Sequence, residues 1–144
     1  KLDPARLMQD FFAGYEYLAA RADVSDRTGC VGFCYGGGVC NALAVAYPKL
    51  CVSVPFYGLQ PPVADVPRIQ AALLLHYAGL DARVNAGWPA YKEALDAGRK
   101  TYAAYIYPGV NHGFHNDSTP RYDAAAATLA WSRTLDAFKR YLDP

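Results

Sequence analysis

Residues 31 to 38 read VGFCYGGG, and within them Gly32-Phe33-Cys34-Tyr35-Gly36 has the form GxCxG. A nucleophile at the tip of a sharp strand-to-helix turn has a strained backbone and needs small residues two positions before and after it. GxSxG is the usual version, and sulfur here replaces oxygen. The helix that follows would begin beneath the sulfur, its amino-terminal dipole lowering the thiol pKa and the backbone N–H of Tyr35 facing a developing oxyanion. The chemistry this suits is attack on a carbonyl carbon. On the motif alone a core role for Cys34 stays open, because free cysteine is among the most buried residue types, which is the reading for Cys30, Cys40 and Cys51. Two other glycine motifs fit poorly. A GxGxxG fingerprint would need glycine at position 34, and a phosphate-binding Walker loop needs a Lys-Ser/Thr pair after the glycines.

A cysteine nucleophile needs a base and a group to orient it, in the chain order nucleophile, acid, histidine. Asp81 in LHYAGLDARVN and His112 in YPGVNHGFHND supply both, each just after a strand-like run. Each has a plainer reading: Asp81 as a helix cap, His112 as a loop residue bonded to backbone. His76 lies within an apolar strand and reads as a satisfied core histidine, and His115 as a residue of the site mouth or the surface. His112, His115 and Asp117 form only a weak metal pattern, and no metal is expected.

The elements that must position these groups alternate. Residues 4 to 21 place Leu7, Phe11, Tyr15 and Leu18 at helical spacing behind Asp3-Pro4, with Asp3 as cap. Next come a strand CVGF and a helix GGVCNALAVAYP, then a strand CVSVPFYG and a proline-rich loop, QPPVADVP. A third strand, AALLLHYAG, precedes a helix over NAGWPAYKEALDAG. A fourth, TYAAYIYPG, leads through the NHGFHND loop to a closing helix from about Tyr122 to Tyr141. Strands nearly continuous in apolar residues and alternating with helices imply a mainly parallel sheet of about four strands in an α/β, three-layer arrangement. No linker, repeat or low-complexity stretch divides residues 1–144, so one domain is expected.

Composition agrees: 144 residues, 53% hydrophobic and 19% charged, suit one globular domain. With 14 basic against 13 acidic residues, net charge +1, nothing points to nucleic acid or to an acidic membrane surface. No apolar run approaches the ~20 residues of a membrane span, and KLDPARLMQD is not a signal peptide. Cys30 and Cys34 would stand about 13 Å apart on an extended strand, beyond bridging distance, so the four cysteines read as reduced thiols, suiting a cytoplasmic rather than a secreted protein. A redox role lacks a resolving cysteine at CxxC spacing.

GFCYGGG, LLLHYAGLDARVNAGWPAY and YPGVNHGFHND with its following RYDAAAATLAWSRTLDAFKRYL resemble, in order, the dienelactone hydrolase (carboxymethylenebutenolidase) family, from about residue 25 to the end. The resemblance implies an α/β-hydrolase fold with a Cys34, His112, Asp81 triad that hydrolyses enol-lactones or related small esters without a cofactor. It implies Tyr35 as an oxyanion donor and Tyr35, His115 and Asn116 as substrate-binding residues. Asn116 falls in the loop where family members carry a carboxylate-binding arginine. Family members have a further amino-terminal segment with several strands, a second oxyanion loop and a glutamate, none of it in these 144 residues. The chain thus reads as the carboxyl-terminal portion of such a fold, truncated, and a slow scaffold or assembly module is the alternative to an enzyme. The strand CVGF would then lie at a sheet edge, so a homodimer or larger homo-oligomer is expected to cover it, either by pairing the two edge strands or by packing the helix of residues 4 to 21 across it.

Overall fold

The computed structural model describes residues 3–143. Helix α1 spans Pro4–Ala19, with Pro4 in its first turn and the Asp3 side chain accepting from the Ala5 N–H at 3.0 Å. Strand β1 (Gly29–Phe33) turns directly into α2 (Tyr35–Ala46), which Pro48 follows. Strand β2 is Val52–Phe56, β3 is Ala72–Ala78 and β4 is Tyr102–Tyr107. They form one parallel sheet in the order β1-β2-β3-β4, with Phe33 beside Phe56, Phe56 beside His76 and Ala78 beside Tyr107. All four carboxyl ends therefore point the same way, and the loops that leave them share one side of the molecule.

Period-two alternation assigns the two faces of the sheet. Leu73, Leu75 and Tyr77 of β3 face α2 and the later helices, packing with Leu43, Tyr91 and Leu95. Val52, Val54, Phe56, Leu74 and Ala78 face the other way, against the closing helix α5 (Ala124–Leu142) through Ala130 and Phe138. The arrangement is the expected three-layer α/β one.

Three details differ from the sequence reading. The inward side of α1 carries Met8, Phe12 and Tyr15, whereas Phe11 and Leu18 are exposed. The expected stripe is rotated by about one residue because Tyr47 draws Phe12 and Tyr15 onto its ring, at 5.6 and 4.2 Å between centroids. The helix expected over residues 85–98 is the shorter α4 (Trp88–Ala97), with Pro89 in its first turn, and a short α3 (Ala82–Asn85) precedes it. The proline-rich loop closes as a 3₁₀ turn over Val63–Arg68.

Candidate active site

Cys34 links β1 to α2 with φ 56° and ψ −117°, a backbone that residues with a side chain rarely adopt. Its N–H donates to the Phe56 carbonyl at 3.1 Å, and its own carbonyl accepts from the N–H groups of Gly37 and Gly38. Gly32 permits this turn, since a Cβ there would lie 2.1 Å from the Gly36 carbonyl oxygen. Gly36, expected to be just as restricted, faces open space. The second tight contact is between Gly37 and Gly58, where a Cβ on either would meet the backbone of the other under 3 Å. Of the four free cysteines only Cys34 is exposed; Cys40 is buried, and Cys30 and Cys51 are half-buried.

Asp81 follows β3 and is 7% exposed. Its two carboxylate oxygens are divided: Oδ1 accepts from the Val84 N–H at 3.2 Å, capping α3, and Oδ2 meets His112 Nδ1 at 2.5 Å. Asp81 thus caps α3, its plainer reading, and also bonds the His112 ring. Because a carboxylate only accepts, Nδ1 carries the proton and the Nε2 lone pair of His112 is left to take another. His112 follows β4, and its ring rests against Tyr57 at 4.9 Å between centroids. His76 is a core residue as expected, bonded to Tyr107 and Thr134.

Electrostatics at the sulfur run against one expectation. Burial pushes the Cys34 thiol up, Arg121 and Arg83 pull it down, and Asp81 pushes it up again, with the net direction upward. The net direction is away from the thiolate that the turn at the start of α2 was expected to favour.

Tyr35 opens α2, 52% exposed, with its ring 6.1 Å from that of Phe11. His115 packs among Phe33, Phe56 and Trp131 in tilted and edge-on contacts, and burial pushes its imidazole down, favouring the neutral ring. Asn116 lies beside it along a cavity of about 300 Å³ that also borders Cys34. Its Oδ1 is taken up by the N–H and hydroxyl of Ser118, so the side chain closes a turn as well as facing the cavity.

Three residues near the sulfur escaped the sequence reading. Tyr57 follows β2 with φ 38°, is 1% exposed and, together with Cys34, lines two cavities. Arg83 stands two residues after Asp81, and Arg121 lies farther along the His112 loop than the position of Asn116. Both arginines follow the carboxyl ends of strands, which was the available signal.

With this geometry in view, residues 1–142 match the dienelactone hydrolase family. The chain belongs to that family. The match takes in α1, ahead of the motif likeness that begins near residue 25. The chain is 33% identical over 136 residues to a Saccharolobus solfataricus protein named "Putative carboxymethylenebutenolidase", covering 94% of this chain and 52% of that one. It is 30% identical over 139 residues to carboxymethylenebutenolidase 1 of Cupriavidus pinatubonensis, covering 95% of this chain and 58% of the relative. The crystal structure of a "Putative Dienelactone Hydrolase" from Klebsiella pneumoniae superposes with a TM-score of 0.85 at 26% identity, covering 95% of this chain and 62% of that one. The chain thus spans little more than half the length of the curated relatives it matches.

Proposed function

We propose that this chain carries the acyl-transfer centre of an ester or lactone hydrolase, with Cys34 as nucleophile, His112 as general base and Asp81 as the group that orients it. The observation that carries the reading is the 2.5 Å contact between Asp81 and His112 Nδ1, set on the same side of the sheet as an exposed, strained cysteine. A thiol raised by burial needs a base at the moment of attack, and His112 Nε2 is the acceptor. As sulfur bonds to the carbonyl carbon, negative charge moves to the carbonyl oxygen, which the N–H of Tyr35 at the start of α2 is suited to receive. Arg121 and Arg83 favour the anionic form of the site and suit substrates that carry a carboxylate. His112 then returns its proton to the departing oxygen, and water, activated by the same imidazole, releases the acid. A symmetric assembly through β1 belongs to the same proposal, supported by the place of β1 at the edge of the sheet.

The test is turnover of p-nitrophenyl acetate. Activity is expected to vanish in Cys34→Ala and to persist in Cys30→Ala. Equal rates in the two variants would overturn the reading and leave the assembly module in its place.

A further inference from the structure

Two cavities open beside the Cys34 sulfur, and their chemistry differs. The larger, about 580 Å³, runs from Cys34 along α2 to α1 and is walled by apolar side chains, among them Met8, Phe12, Ala42, Val45 and Leu59. Of the polar groups that reach it, some are engaged elsewhere, while Arg83 is a charge that acts on the Cys34 sulfur. Asp65 and Arg68 pair with each other at 3.7 Å, and the Gln60 amide donates to Tyr77 and to the Val84 carbonyl. The smaller, about 300 Å³, is bordered by Phe33, Cys34 and Tyr57 and by His115, Asn116 and Asp117 of the His112 loop. No residue of that loop borders the larger cavity.

Acyl transfer assigns a direction to each. Sulfur bonds to the acyl carbon, the C–O bond to the alcohol breaks, and the departing oxygen takes the proton that His112 withdrew from the thiol. The leaving group must therefore lie on the side of His112, where its loop borders the small cavity. The acid part is directed the other way, into the large one. Water then adds to the thioester, and the sulfur regains its proton through His112.

We propose that the 580 Å³ cavity is an acyl-binding site, and that the chain prefers esters of medium-length apolar acids to acetyl esters. The volume falls within the range of small-molecule sites and exceeds what an acetyl group fills. This inference rests on Cys34 being the nucleophile.

A series of p-nitrophenyl esters from acetate to octanoate tests it. kcat/KM is expected to rise roughly two- to fourfold per added methylene through hexanoate, since each buried methylene contributes at most about 0.8 kcal/mol. In Ala46→Trp, which fills the cavity at α2, the hexanoate-to-acetate ratio is expected to fall by about tenfold or more. A flat or falling series in a chain that turns over acetate overturns the acyl site and leaves the nucleophile standing. So does an unchanged ratio in the variant. Lengthening the alcohol of acetate esters is expected to change kcat/KM by less than about threefold, and a steep rise there instead would reverse the assignment of the two cavities. Failure to turn over any ester, acetate included, overturns both readings together.

Discussion

His76 and His112 are the same side chain in opposite circumstances. His76 lies within β3, fully buried, and both ring nitrogens are engaged. The Thr134 hydroxyl donates to the Ala130 carbonyl, so it accepts from Nε2–H, and Nδ1 accepts from the Tyr107 hydroxyl, whose oxygen accepts in turn from Arg133. Burial, with Arg133 and His115 adding to it, pushes this imidazole down to about 3. His112 is partly exposed, holds one nitrogen against Asp81 and has the other to spare. A histidine with every valence satisfied joins β3, β4 and α5, whereas one with an unsatisfied nitrogen at a strand end is equipped to move a proton. The count of engaged nitrogens, more than burial alone, separates the two.

Exchanging the roles should fail in both directions. The largest effect is expected from His112→Ala, which should lower ester turnover by at least about 10³-fold while changing unfolding free energy by no more than about 1 kcal/mol. A variant that loses stability in step with activity would make His112 structural and erase the contrast. His76→Leu should do the reverse, costing about 3 kcal/mol in urea unfolding, because the Tyr107 and Thr134 hydroxyls lose their partner inside the core. A loss below about 1 kcal/mol would show that the buried network is dispensable. The smallest effect is that of pH. The folded state holds His76 neutral to about 3 while the unfolded chain binds the proton near 6.5, so stability is fully present above 6.5 and declines as pH falls below it. Between pH 7 and pH 5 the contribution of this group is a loss of about 2 kcal/mol, measured by urea unfolding at the two pH values and expected to be absent in His76→Leu.

The layers were legible in the sequence for a simple reason. The seven residues of β3 are buried on both sides, and continuous apolar runs of that kind occur where helices cover both faces. Cys34, Asp81 and His112 were legible because each follows a strand and a parallel sheet brings those ends together. The thiol pKa was not, because it depends on a balance of burial against Arg121 and Arg83 that spacing does not encode. Tyr57 stayed hidden as one aromatic among many in an apolar run. Its importance comes from a backbone angle and from the close approach of Gly58 to Gly37, both set by tertiary packing. The rotated face of α1 has a similar cause, since helical spacing offered two apolar stripes and Tyr47, far along the chain, selects between them.

Among the described residues, three that carry side chains have positive φ: Cys34, Tyr57 and Arg99. Two of these three adjoin at the site, joined by the bond from the Cys34 N–H to the carbonyl of Phe56, the residue before Tyr57. Each such conformation costs on the order of 1–3 kcal/mol, so the chain is least relaxed where the proposed chemistry occurs. Glycine at either position would ease the backbone but remove the sulfur or the aromatic wall beside it. Stability and chemistry therefore make opposite demands on these two positions, and the buried strands behind them must be rigid enough to hold the unfavourable turn in place.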